Sequence, residues 1–154
     1  MATFFFDSSA PVKYYVREVG SNWVTGIVDA QPPNKIVIAQ ITGVEIIAAL
    51  ARRVRMGLTT TTAGAAAINA FRSDFRVKYE VISITAQLIE DAMNLAELHW
   101  LRSYDAVQLA AATAFEAHMT ASGVGPLTLV SADGELNQAV QTEDILTDDP
   151  HLHP

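Results

Sequence analysis

Cysteine is absent from the 154 residues, which excludes disulfides, thiolate metal sites and a cysteine nucleophile. No apolar run approaches the length of a membrane span. The Met1–Phe6 opening has no basic leader before it and no small-residue cleavage pattern after it. No secretory signal is therefore expected, and these absences together fit a reducing cytoplasm. Charge is sparse, at 18% of residues, while half of the chain is hydrophobic, which excludes a disordered chain. Basic residues are the scarcer sign, with 10 Lys and Arg against 17 Asp and Glu, for a net charge of -7. Such a chain is not a broad electrostatic binder of nucleic acid. No Gly-x-Gly-x-x-Gly follows a strand-like run, so a dinucleotide site is not expected. Ser8, Ser9 and Ser131 have no histidine placed for a nucleophilic triad. No lysine follows Lys78, which sets aside a phosphoryl-accepting acidic pocket. There is no internal repeat, low-complexity tract or linker. One domain is expected over residues 1–147, with residues 148–154 as a C-terminal tail.

What the chain does contain is alternation of strand-like and helix-like segments. Strands are expected at Thr3–Phe6, Ile36–Ile41, Tyr79–Ile84 and Leu127–Val130, with a last edge strand at Ile145–Thr147. A helix capped by Ser8 or Ser9 is expected to run to about Val19 and stop at Gly20. Further helices are expected over Ser21–Ala30, Thr42–Met56, Thr60–Phe75, Thr85–His99, Ser103–Thr120 and Asp133–Gln141. The Ser103 helix is apolar on every face out to Phe115, the mark of a buried central helix. This pattern predicts an α/β sandwich around a mostly parallel sheet of four to five strands. In such sheets, ligands bind outside the carboxyl ends of the strands.

That rule gives weight to four acids. Asp7 directly follows the first strand. Glu45 falls in the first turn of the helix after the second strand. Asp133 follows the fourth strand in Val130-Ser131-Ala132-Asp133, and Asp105 heads the central helix. Each also has a plain structural reading. Asp7 can cap the first helix, Thr42-x-x-Glu45 matches a capping box, Asp133 sits at an N-cap position, and Asp105 suits a helix N-terminus. Together they predict a carboxylate cluster whose repulsion calls for protonation or a bound cation. Hard divalent ions with oxygen ligands, Mg²⁺ or Mn²⁺, fit such a cluster. Arg52, Arg53 and Arg55 end the Glu45 helix, where cations complement the dipole. His99 and His118 read as structural, and His151 and His153 as a solvated tail.

The segment Phe4-Phe5-Phe6-Asp7-Ser8-Ser9-Ala10-Pro11-Val12-Lys13-Tyr14-Tyr15 resembles the opening motif of PIN-domain ribonucleases. Thr42-Gly43-Val44-Glu45-Ile46-Ile47-Ala48-Ala49-Leu50 is similar to their second motif. Leu101-Arg102-Ser103-Tyr104-Asp105-Ala106-Val107-Gln108-Leu109-Ala110 is similar to the third, and Leu129-Val130-Ser131-Ala132-Asp133-Gly134-Glu135-Leu136 to the fourth. The four occur in order and cover the chain from Phe4 to about Thr147. Within the family, the short single-domain form most resembles the VapC toxins of type II toxin–antitoxin pairs.

The resemblance implies a PIN-like three-layer sandwich. It implies that Asp7, Glu45, Asp105 and Asp133 are catalytic and ligate one or two Mg²⁺ or Mn²⁺ ions for hydrolysis of an RNA phosphodiester. Ser131 would order the site from behind. It implies a homodimer and an antitoxin (VapB-like) whose peptide covers the active-site groove, with an arginine among the carboxylates. Lys13, Arg17, Arg52, Arg53 and Arg102 are candidate phosphate contacts. Gly134 stands where many relatives carry a basic residue. The alternatives are a housekeeping RNA-processing nuclease and a catalytically silent PIN domain that binds RNA or protein.

Overall fold

The computed structural model describes all residues 1–154. In chain order the elements are β1 (Thr3–Phe6), α1 (Val12–Tyr15), α2 (Ser21–Val28), β2 (Lys35–Ala39), α3 (Gln40–Arg55), α4 (Thr61–Val77), β3 (Glu80–Ile82), α5 (Ala86–His99), α6 (Ser103–Ala121), β4 (Leu127–Val130), α7 (Gly134–Thr142) and β5 (Leu146–Asp148). A short 3-10 turn, Pro150–Leu152, closes the chain.

The five strands form one all-parallel sheet in the order β3-β2-β1-β4-β5. Phe5 pairs with Val37 on one side and Leu129 on the other, so β1 is the sheet's centre. Its two central neighbours are buried on both faces, which is why β1, β2 and β4 read as continuous apolar runs. Period-two alternation sends Phe5 to one face and Phe6 to the other. Phe5, Val37 and Leu129 pack with Leu109 and Phe115 of α6, Leu88 of α5 and Leu136 of α7. Phe6, Ile38 and Val130 pack with Val24 of α2, Ile46 and Leu50 of α3, and Phe71 of α4. The result is three layers, helices on either side of the sheet, as expected. The central helix is buried as its composition predicts, with Ala106, Leu109, Ala110, Ala111 and Ala112 almost inaccessible.

Three local expectations are corrected. The helix expected from Ser8 to Val19 shrinks to Val12–Tyr15. Asp7 captures the Ser9 N–H and hydroxyl, which folds residues 7–11 into a turn. At the other end, the Ser21 hydroxyl donates to the Val16 carbonyl and accepts from Glu18 N–H, and Val16 is extended. α3 begins at Gln40, two residues before Thr42, so Glu45 lies in its second turn and no capping box forms. The tail histidines are not simply solvated. His153 stacks on Trp23 at 4.1 Å and hydrogen-bonds Asp148 at 2.8 Å, while His151 Nε2 lies 3.4 Å from Lys13 Nζ. Pro150 is buried, and a Cβ on Gly20 would collide with its carbonyl.

Candidate active site

β1, β2 and β4 all end at the same edge, and the chain turns there into Asp7, α3 and α7. Asp7 is 4% exposed. Its Oδ1 accepts from Ser9 N–H at 3.0 Å and from the Ser9 hydroxyl at 2.6 Å. Its Oδ2 accepts from the Ser131 hydroxyl at 2.7 Å. Ser131 is buried, and its oxygen also accepts from Asp133 N–H at 3.0 Å. Ser9 Oγ accepts from Ala132 N–H at 2.8 Å. Two serines thus tie the end of β1 to the link after β4. Burial pushes the Asp7 carboxyl up to about 6, against the hydrogen bonds from Ser131 and Ser9, and the Glu45 charge adds to the rise.

Glu45 is half-buried on α3. Its Oε2 accepts from Gln108 Nε2 at 2.7 Å, and the same nitrogen donates to Thr42 Oγ1 at 2.9 Å. Burial raises the Glu45 carboxyl, hydrogen bonds from Gln108 and Ser8 oppose this, and the Asp105 charge raises it further. Asp105, in the first turn of α6, is also raised, by burial first and then by the Asp133 charge, while Arg102 opposes. Asp133 caps α7, its Oδ1 accepting from Glu135 and Leu136 N–H at 2.9 and 3.1 Å. Its structural reading therefore holds for one oxygen. The other, Oδ2, accepts from Arg102 at 3.0 Å, and the same guanidinium reaches Asp105 Oδ2 at 3.4 Å.

The four acids therefore form a row, each feeling its neighbour's charge: Asp7 with Glu45, Glu45 with Asp105, Asp105 with Asp133. As they stand, no three converge tightly enough to ligate one ion. The chemistry of the donors nonetheless fits a hard cation. They are all carboxylates, three hold raised proton affinity, and the one cation bridging them is an exposed arginine. Gln108 Oε1, beside Glu45, is buried without a hydrogen-bond partner. A bare acceptor of that kind costs about 1–3 kcal/mol until a donor such as bound water reaches it.

Gln108 was missed by sequence reasoning, although a long amide three residues after Asp105, on the same face of an otherwise apolar helix, marks it. The basic candidates divide. Lys13 is buried in an ion pair with Glu18 at 3.1 Å, and Arg53 donates to the same carboxylate at 2.9 Å, so neither is free to meet a phosphate. Arg102 is exposed and lies among the acids. His99 is structural, its Nε2 2.6 Å from Glu143 Oε1.

Comparison with known proteins matches the PIN domain family over residues 4–139. The chain belongs to the PIN domain family. All four acids of this PIN domain fall inside the matched segment. Its fold is similar to that of PAE2754 from Pyrobaculum aerophilum, with a TM-score of 0.62 at 19% identity over 98% of this chain and 91% of that one. It is similar to VapC20 of Mycobacterium tuberculosis, described as a sarcin-ricin loop cleaving toxin, with a TM-score of 0.61 at 20% identity over 88% and 94%. It is also similar to a chain of a toxin-antitoxin complex from Klebsiella pneumoniae, with a TM-score of 0.59 at 13% identity over 95% and 96%. No curated protein matches the chain. No helix of this PIN domain is long and apolar enough to cross a membrane.

Proposed function

We propose that this PIN domain is a Mg²⁺- or Mn²⁺-dependent endoribonuclease and the toxin of a toxin–antitoxin pair. The carrying observation is the row of acids at the strand carboxyl ends, with the charged forms of Asp7, Glu45 and Asp105 all disfavoured where they sit. Carboxylates whose charged forms are disfavoured first by burial and then by neighbouring acids suit a bound cation, which offsets both. Asp7 and Asp105 would hold the ion directly. Glu45 would hold it directly or through water and orient the attacking water, and Asp133 would offer the oxygen that Arg102 now occupies. A bound divalent ion supplies a water of lowered pKa and neutralises charge on the attacking and leaving oxygens.

The chain's own groups do the rest. Ser9 and Ser131 fix both oxygens of Asp7. Gln108 fixes Glu45 and ties it to the buried helix. Arg102 exchanges its carboxylate partners for the phosphate backbone of RNA, a charge-assisted contact of the same geometry. The toxin reading draws on the likeness to VapC20 and to the Klebsiella complex. It brings a cytoplasmic location, a homodimer, and an antitoxin whose arginine takes the place Arg102 holds between Asp105 and Asp133.

The test is cleavage of total RNA by the purified, antitoxin-free protein with Mg²⁺, with Mn²⁺ and with EDTA, beside Asp7→Asn and Asp105→Asn. Discrete fragments that require metal and both aspartates are expected. Cleavage that survives EDTA or either substitution contradicts the proposal. A second reading, a silent PIN domain that binds without cutting, has one observation in its favour: no three acids converge on an ion as they stand. It predicts RNA or protein binding with no cleavage under any of these conditions.

A further inference from the structure

The link between α5 and α6 is three residues, Trp100-Leu101-Arg102, and its first residue shares a left-handed backbone with one other non-glycine residue, Asp144. Trp100 has φ 59° and ψ 34°, the left-handed conformation that glycine adopts freely and bulky side chains resist. It is also 92% exposed. A helix end of this shape is most stable with glycine. Nothing in the fold compensates the indole: it packs into neither core. Strain of this kind, with an aromatic ring left in water, points to a ligand rather than to stability.

The space beside it supports that. A groove of about 320 Å³ runs from Trp100 and His99 to α7, where Glu135, Gln138 and Thr142 line its floor. That volume lies at the low end of small-ligand sites, on the order of 300 Å³ and upward. The groove is mainly polar-walled, and the exposed Trp100 lines it together with Leu101 and Ala139. The His99–Glu143 hydrogen bond ties the end of α5 to the residue after α7 beside the groove. On the Glu135 side the groove adjoins the acid row, because Glu135 follows the Asp133 cap and its charge is felt at Asp105. Arg102, two residues from Trp100, bridges to both acids. An aromatic face, hydrogen-bonding side chains and a neighbouring phosphate-handling site are what an unpaired nucleobase requires.

We propose that the groove between Trp100 and α7 is a subsite for one unpaired nucleobase, stacked on the Trp100 indole and read at its edge by Glu135 and Gln138. Glu135 can only accept, so it favours adenine, cytosine and guanine, whose exocyclic amino groups donate; uracil offers only N3–H, flanked by two carbonyl oxygens that repel the carboxylate, and binds more weakly. The subsite would hold the nucleotide next to the scissile phosphate, and in that respect it rests on the nuclease reading above.

Base binding is testable without cleavage. Trp23 and Trp100 are the only tryptophans, so Trp23→Phe leaves Trp100 as the single reporter. Its fluorescence would be titrated with adenosine, cytidine and uridine in EDTA. Saturable quenching by adenosine and cytidine, about fivefold weaker for uridine, is expected, with the discrimination lost in Glu135→Gln. Equal, non-saturating quenching by all three overturns the proposal, whatever the fate of the nuclease reading. If the wild type cleaves RNA, Trp100→Ala and Trp100→Gly should raise KM about tenfold with kcat little changed, and Trp100→Phe should recover most of the loss. Trp100→Gly relieves the backbone strain, so its failure would not be a failure to fold. Unchanged KM and unchanged base preference at the cleavage site in both variants would overturn the proposal as well.

Discussion

At the scale of single residues, the fold raises the proton affinity of Asp7, Glu45 and Asp105. The sign of the consequence for Asp7 is fixed. Its carboxyl rises from an ordinary 3.8 to about 6, so the native protein holds a proton that the unfolded chain has already released. Stability from this group is present below about pH 4 and is lost as pH rises through about 6. A shift of that size corresponds to on the order of 3 kcal/mol. Glu45 and Asp105 move in the same direction. In EDTA the wild type should therefore be more stable to denaturant near pH 5 than near about pH 8. Asp7→Asn should flatten most of that slope while abolishing cleavage. A wild type that gains stability across this range would contradict the assignment. Gln108 offers a second check. Gln108→Leu keeps the volume of the buried side chain and removes the bond that orients Glu45. Activity should fall about 10- to 100-fold with the fold intact by circular dichroism. Full activity would remove Gln108 from the site.

At the scale of elements, most of the architecture is legible because local pattern and tertiary environment agree. β1, β2 and β4 read as strands from unbroken apolar runs because both faces of the sheet are covered. α6 reads as buried because its alanines sit beneath α5 and α7. What could not be read is where a side chain outbids the backbone rule. Asp7 takes the Ser9 N–H and cuts the first helix to one turn. The Thr42–Glu45 capping box is a false match, since both side chains face Gln108 from another helix. Asp7, Glu45 and Asp133 stood out as candidates from their places after strands, and Asp105 from its place at the head of α6. Their support (Ser9, Ser131, Gln108) depends on partners up to 124 residues away, which periodicity does not encode. Helix α4 gives an element-scale prediction. A Cβ on Gly64 would collide with the Val54 side chain, where α4 lies against α3. Gly64→Ala gains about 1 kcal/mol of helix propensity but overpacks that contact by about 1–3 kcal/mol. It should lower Tm slightly. A rise in Tm would show that the α3–α4 contact yields.

At the scale of the whole molecule, the C-terminal end of the chain folds back onto α2 and the residue before it. The 3-10 turn at Pro150 packs against Gly20, and His153 stacks on Trp23, closing α2 against the last strand. Gly20 has φ 86°, so Gly20→Ala meets both backbone strain and the Pro150 carbonyl. It should release the tail, seen as loss of the Trp23–His153 stacking shifts in NMR spectra, while leaving the acid row intact. Retained stacking would show that the tail is held elsewhere. The net charge of -7 leaves few cations, and two of them, Lys13 and Arg53, are tied to Glu18. Arg102 is the cation that the fold itself places among the acids.

Everything functional here depends on those acids forming a cation site. The most direct measurement is calorimetric titration of Mn²⁺ into the protein near about pH 6 and about pH 8, each in two buffers of different ionisation enthalpy, so that released protons are counted. Carboxylates with raised proton affinity must give up protons to ligate metal. The account predicts binding with clear proton release near pH 6, release falling towards zero near pH 8, and most of it lost in Asp7→Asn. Absence of binding at millimolar Mn²⁺, or a proton count that is the same at both pH values and unchanged in Asp7→Asn, would contradict it.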